Sequence, residues 1–258
     1  MMNNIAVILR GHMRTWDYVH PVVFDFYKKI AHNVDYYIST WQYPNQGFQW
    51  IFDSFQKYNQ NIVTLLPVTI DSLIYTSYKG PSYLTYSILP YTRKRHKEVN
   101  YEFVFNTRPD IIYRVKPDCV VPALNENTWY TSNYVCQQDN EGAYRIGVED
   151  HIFAGTYEVN ATMNTRHIYH DVIGCHNAIK KYADDENFYT ASMYWMDAHI
   201  VRPNAFELVP NPFEYFDYPY HTLHVKWMDL PKEEKLQLLQ KYNIAPDDYI
   251  TNSILAKL

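Results

Sequence analysis

Residues 101–115, YEFVFNTRPDIIYRV, place two opposite charges inside an otherwise apolar stretch. Arg108 and Asp110 stand where one hydrophobic run ends and another begins. Charge in such a setting is costly unless it is paired or functional. An aspartate there can bind a divalent metal through oxygen. An arginine beside it can clamp phosphate oxygens with its planar fork of donors. A structural Arg–Asp salt bridge at a strand end is the other reading of the same two residues.

The elements that must position this pair follow from hydrophobic patterning. Residues 5–9 (IAVIL) form a continuous apolar run followed by Arg10-Gly11, which predicts a buried parallel strand ending in a loop. Pro21 opens a predicted helix over 21–32 with Val22, Val23, Phe26, Tyr27 and Ile30 on one face. Residues 35–41 (DYYISTW) and 61–68 (NIVTLLPV) read as the second and third strands, in a right-handed βαβ arrangement. A helical pattern over 82–99 is interrupted by Pro90, and strands are predicted over 101–105, 129–131 and 150–155. Residues 157–182 read as mostly helical, and a last helix is signalled over 231–242 by Asp229, Glu233 and Glu234 and a leucine stripe. The fold class expected is α/β, with a mixed, mainly parallel sheet flanked by helices. In such sheets ligands sit outside the carboxyl ends of the strands. That nominates Arg10 and Gly11, Thr40 and Trp41, and Arg108 to Asp110 as neighbours.

Composition narrows the function classes. The chain has 258 residues, 47% hydrophobic and 20% charged, which suffices for a core and excludes a disordered chain. Net charge is −5, against a nucleic-acid coat. Residues 1–100 carry 10 Lys+Arg against 6 Asp+Glu and the remainder 13 against 22, an asymmetry suited to an anionic ligand held by the first part. Cys119, Cys136 and Cys175 form no CxxC pair, so a zinc ribbon or disulfide framework is not expected. The run at 5–9 is too short for a signal-peptide core or a membrane span. A soluble, cytoplasmic protein is the expectation. The 26 tyrosines would suit stacking on sugars, and Trp41, Trp50, Trp129 and Trp195 either join such a platform or pack in the core.

The order of these motifs resembles the nucleotide-sugar-dependent glycosyltransferases of the GT-A fold, particularly their short bacterial and viral members. The matching residues are Gly11-His12-Met13-Arg14 for a G-x-x-R loop, residues 35–41 for a D-x-[FY]-I-x-T-W strand, Arg108-Pro109-Asp110 for a mid-chain R-x-D, and residues 150–155 (DHIFAG) for a D-x-x-F-x-G segment. The resemblance covers roughly residues 4–160. It implies one GT-A-like, Rossmann-like domain over 1–258, with 1–115 as the nucleotide-sugar-binding half and 116–258 as the acceptor-binding half with the C-terminal helices. It implies that Arg10, Gly11 and Arg14 hold the nucleotide. Asp110 would stand where a D-x-D metal motif lies and bind Mn²⁺ or Mg²⁺, with Arg108 in place of the first carboxylate. Asp150, or Glu149 beside it, would be the carboxylate base. His224 would add a metal ligand, with His221 as competitor, and Lys226 would meet the diphosphate. The expected partners are a nucleoside-diphosphate sugar and a glycan, lipid-linked saccharide or glycoprotein acceptor, in the cytoplasm of a bacterium or virus-infected host.

Other features point less far. His167 and His170 are one helical turn apart beside Asp171 and His176, but without an H-E-x-x-H they read as helix-surface residues. The basic run at 93–97 either attracts phosphates or forms a solvated face. Lys79-Gly80-Pro81 reads as a turn placed to close over a nucleotide, with Lys79 on the substrate. Pro109-Asp110 superficially matches a nuclease motif but lacks the following acidic-x-Lys. No Walker loop, G-x-G-x-x-G or G-x-S-x-G is present, which removes the ATPase, dinucleotide-cofactor and serine-hydrolase readings. A non-catalytic carbohydrate- or nucleotide-binding module is the remaining alternative to a transferase.

Overall fold

The computed structural model describes residues 1–13, 15–41, 47–68, 79–132, 134–138, 144–148, 151–166, 175–201 and 233. Strand β1 (Met2–Arg10) lies at the centre of a seven-stranded sheet, with β2 (Ala31–Trp41) and then β3 (Asn61–Val68) on one side. On its other side are β4 (Phe103–Thr107), β9 (Ile152–Gly155), β6 (Thr128–Thr131) and β10 (Tyr189–Ser192). The pairs β1–β2, β2–β3, β1–β4 and β6–β10 are parallel, and β9 runs antiparallel to both β4 and β6. This is the mixed, mainly parallel, Rossmann-like sheet flanked by helices that the sequence leads one to expect. Two further ribbons, β5 (Ile111–Val115) with β11 (Met196–Ile200) and β7 (Tyr134–Gln138) with β8 (Tyr144–Val148), are antiparallel.

Helices α1 (Trp16–Ile30) and α2 (Gln49–Lys57) cover one face of the sheet together with the β5–β11 ribbon. Helices α3 (Lys79–Val99) and α4 (Tyr157–Arg166) cover the other, and α5 (Cys175–Asp185) packs beside β8 and β10. The α1 face is aromatic: Trp16, Phe24, Phe26, Tyr27, Tyr36, Phe55, Phe105, Tyr113 and Trp195 are all at most 2% exposed. No described helix is long and apolar enough to cross a membrane.

Several boundaries differ from the sequence expectation; α1 ends at Ile30, so Ala31 and His32, expected in the helix, open β2. Helix α1 starts at Trp16 rather than Pro21. Its first turn is anchored by Trp16, which stacks on Phe55 at 5.5 Å and donates from Nε1 to Ser54 Oγ at 2.8 Å. Pro21 and Pro90 both lie inside helices, because the carbonyl four residues earlier belongs to exposed Asp17 and exposed Tyr86. Water can satisfy what the missing N–H leaves open. Strand β4 starts at Phe103 rather than Tyr101 because Asn100, at φ 52°, ends α3 in the left-handed region and donates to the His96 carbonyl at 2.8 Å. Lys79-Gly80-Pro81 forms the first turn of α3, not a loop turn, and a proline there forfeits no helical hydrogen bond. The expected helix over 231–242 lies outside the described residues except for helical Glu233.

Candidate active site at the ends of strands 1 and 4

The chain builds outward from β1 to β2 and β3, then crosses back through α3 to lay β4 on the opposite side of β1. The direction of winding reverses between β1 and β4, and open parallel sheets receive their ligands beyond the carboxyl ends of strands at such a reversal. Arg10-Gly11 leaves β1 there, and Arg108-Pro109-Asp110 leaves β4. The two turns touch: a Cβ on Gly11 would lie 3.7 Å from Pro109 Cδ. Gly11 has φ +123°, a region closed to L side chains, and donates its N–H to Ser39 O of β2 at 3.1 Å.

Arg108 and Asp110 grip each other. Arg108 Nε donates to Asp110 Oδ1 at 2.9 Å and Nη2 to Oδ2 at 2.8 Å, a bidentate pair in which the Asp110 side chain is 4% exposed and that of Arg108 21%. The backbone is pinned from both sides. Arg108 N–H donates to His151 O at 3.3 Å, and the Asp110 carbonyl accepts Val201 N–H at 2.7 Å from the end of β11. Below the turn, the Tyr113 hydroxyl bonds Thr107 Oγ1 and the Arg108 carbonyl. Burial pushes the Tyr113 phenol well up; its bond to Thr107 opposes this, Asp110 adds to it, and Arg108 and Arg10 pull back. Arg10, Arg108 and Asp110 therefore all act on one hydroxyl. Arg10, only 6% exposed, lies over the Phe153 ring at 5.7 Å, and Phe153 stacks on Trp129 at 5.1 Å.

The α3 face of the sheet changes polarity along the strands. At the amino ends it presents Ala6, Tyr37 and Val104 to Ile88. Nearer the carboxyl ends it presents Ser39, Asn106 and Arg10. Ser87 Oγ donates to Leu84 O at 2.8 Å, so Ser39 Oγ donates to Ser87 Oγ at 3.1 Å. Asn106 belongs to a directional relay. Asn160 Nδ2 donates to Val104 O at 3.2 Å, Asn164 Nδ2 donates to Asn160 Oδ1, and Asn106 Nδ2 donates to Asn164 Oδ1 at 3.0 Å and to Thr85 Oγ1 at 3.5 Å. A main-chain carbonyl can only accept, so the orientation of every amide in the chain is determined. The relay ends at Asn106 Oδ1, which is buried without a hydrogen-bond partner.

Of the residues singled out by sequence, Arg10, Gly11, Arg108 and Asp110 come together. Thr40 is fully buried at the end of β2, with Oγ1 at 3.5 Å from Trp41 O. Trp41 is 5% exposed with His12 at 6.4 Å between ring centres. Arg14, Glu149, Asp150, His167, His170, Asp171, His221, His224 and Lys226 lie outside the described residues, as do the side chains of Lys79 and His176. His151, the residue after Asp150, is bonded to the Arg108 turn as described above. The basic run lies elsewhere: Arg95 pairs with Asp35 at 3.2 Å and Glu98 at 2.8 Å, six residues and about 20 Å of strand from the carboxyl end of β2. There Tyr101 donates to Asp35 at 2.7 Å, and burial pushes neighbouring Tyr37 up to about 12. Trp129 and Trp195 are core residues. A groove lined by Phe52, Phe55, Gln56, Asn59, Gln60 and Ile62 lies between α2 and edge strand β3, away from the Arg10 and Arg108 turns.

Sequence reasoning gave no role to Tyr113 or to the asparagine relay, and named Phe153 only as the F of the D-x-x-F-x-G segment. The signal for the relay was Asn106, a carboxamide closing the apolar run FVF.

Of the two metal ligands expected, only Asp110 lies among the described residues, and its surroundings there do not suit a divalent cation. Both Asp110 oxygens face the Arg108 guanidinium, and no three His, Cys, Asp or Glu side chains gather in metal-binding reach among the described residues. A +2 ion on Asp110 would also sit within a few ångströms of Arg108, a repulsion on the order of several kcal/mol at a protein-like dielectric.

No protein-family model matches the chain, and no curated protein matches it. Two of the solved structures that are similar to the chain show the range. The apo glycosyltransferase GlyE of Streptococcus pneumoniae TIGR4 aligns with 11% identity and TM-score 0.44 over 76% of this chain and 46% of its own. The 4-diphosphocytidyl-2C-methyl-D-erythritol synthase of Anaerococcus prevotii DSM 20548 aligns with 12% identity and TM-score 0.42 over 73% of this chain and 87% of its own. The chain thus spans about half the length of the first.

Proposed function

We propose that the chain is a glycosyltransferase that takes a nucleoside-diphosphate sugar and transfers its sugar to a hydroxyl of a glycan, lipid-linked saccharide or glycoprotein. The observation that carries this reading is the nearness of the turn after β1 to the turn after β4, where a Cβ on Gly11 would lie 3.7 Å from Pro109 Cδ, which brings the turns that carry Arg10 and Arg108 to the reversal point of a parallel sheet. Such a reversal point is where an α/β sheet receives a phosphorylated ligand, and guanidinium groups match phosphate oxygens.

In the reaction, the acceptor oxygen bonds to the anomeric carbon while the bond from that carbon to the diphosphate oxygen breaks. The electron pair leaves with the diphosphate, so negative charge grows there. Cations already in place stabilise that charge more in the transition state than in the ground state. Arg108 and Arg10 take this role. In an inverting enzyme the acceptor proton goes to a carboxylate, for which Asp150 is our candidate. Gly11 and Arg14 would hold the nucleotide, with Thr40, Trp41, Lys79 and Lys226 as further substrate contacts.

The test is a thermal-shift panel of UDP, GDP, CDP and dTDP and their sugars. One matching nucleotide should raise Tm. A flat response to all of them would sink the reading. The closed Arg108–Asp110 pair also suits a non-catalytic binding module. Release of free sugar from the bound donor, lost in Asp150→Asn, separates the two.

A further inference from the structure

Asp110, the one expected metal ligand among the described residues, turns both carboxylate oxygens to Arg108. We propose that this protein binds its nucleoside diphosphate with no divalent cation at Asp110, the positive charge coming from Arg108 and Arg10. The inference rests on the reading of the site given above and concerns how that site works.

Three observations carry it. First, Asp110 spends both carboxylate oxygens on one guanidinium, at 2.9 and 2.8 Å, with 4% of its side chain exposed. A cation could use Asp110 only by breaking two charge-assisted hydrogen bonds and leaving a guanidinium beside it. Second, the main chain of the turn carrying the pair is tied to His151 and Val201, which fixes where the pair stands at the end of β4. Third, Arg10 leaves β1 beside the turn that carries Arg108 and lies over the Phe153 ring at 5.7 Å. Guanidinium groups on both turns suit the phosphates of a diphosphate rather than a metal ion. Asp110 is then the residue that holds the Arg108 fork in place, and Arg108 the residue that meets phosphate.

The experiment measures the affinity of each nucleoside diphosphate, and of its parent nucleoside, by calorimetry in EDTA and in MnCl₂ or MgCl₂. The nucleoside reports an intact base site in every variant. For the wild type, the diphosphate affinity should agree within about twofold between the buffers, a difference of well under one power of ten. Arg108→Gln should lower diphosphate affinity at least about tenfold in EDTA and leave nucleoside affinity in place. A gain of about tenfold or more on adding Mn²⁺ or Mg²⁺ to the wild type would overturn the proposal, and needs no variant to fold. Failure of every nucleoside diphosphate to bind in either buffer would remove the transferase reading itself, a separate result from metal-dependent binding.

Discussion

Asp110 holds Arg108 through two parallel hydrogen bonds, 2.9 Å from Nε to Oδ1 and 2.8 Å from Nη2 to Oδ2, just beyond the carboxyl end of β4. The pair settles what two charges are doing in an apolar stretch: each compensates the burial of the other. Removing one partner strands the other. Asp110→Ala should cost about 2–4 kcal/mol, below the range for a fully buried pair because the arginine side chain is 21% exposed. Urea unfolding measures it through the transition midpoint. A loss under about 0.5 kcal/mol, the size of an exposed pair, would show that the pair is open in solution.

Gly11 offers a cleaner separation of causes. A Cβ at this position meets Pro109 Cδ at 3.7 Å, an ordinary contact, so space is not the obstacle. The backbone at φ +123° is. Gly11→Ala should destabilise by about 1–3 kcal/mol through strain and weaken nucleotide binding. Pro109→Ala in the same chain should not restore it. Restoration would mean that crowding, rather than conformation, makes glycine necessary.

The asparagine relay makes a further stability prediction. Asn164→Leu leaves an Asn106 N–H and Asn160 Oδ1 buried without partners. The cost should be roughly 2–4 kcal/mol, as each abandoned polar group forfeits its hydration. Chemical denaturation of this variant beside Asn164→Gln gives the figure. A neutral result would mean that the relay is not formed.

His20 should make stability depend on pH. Burial lowers its affinity for a proton, partly offset by the hydrogen bond from Nδ1–H to Trp16 O at 2.8 Å. The folded protein therefore binds the proton less readily than the unfolded chain, whose histidine titrates near 6.5. Between the lowered folded value and 6.5 the unfolded state carries more protons, so stability falls as pH drops through that window. Comparing urea midpoints at pH 7.5 and pH 5.5, about one unit either side of the ordinary histidine range, reads the slope. His20→Phe should flatten it, and an unchanged slope would assign it to another group.

How much of this was legible beforehand varies residue by residue. The run at 5–9 is buried on both faces, so its apolar continuity announces a central parallel strand, and Arg10-Gly11 marks its end. The Arg108–Asp110 pair was legible as a conflict between charge and surroundings, although both of its resolutions stayed open. Trp16 was not legible as the start of α1, because its partners Ser54 and Phe55 are 38 and 39 residues away and periodicity is a local signal. Nor was the relay, since Asn160 and Asn164 look like any pair one helical turn apart until β4 is laid against them.

The order of apolar runs, breaks and turn residues by itself determined that this chain forms a parallel βαβ core with charged residues at the strand ends. Local patterning suffices for that, because strand and helix periods are written in neighbouring residues. Only the tertiary structure decided that β4 lies beside β1, that the Arg10 and Arg108 turns touch, and that Asp110 turns both oxygens inward to an arginine rather than outward. Those outcomes depend on which strand pairs with which and on the burial that follows. No residue carries that information in its own immediate sequence.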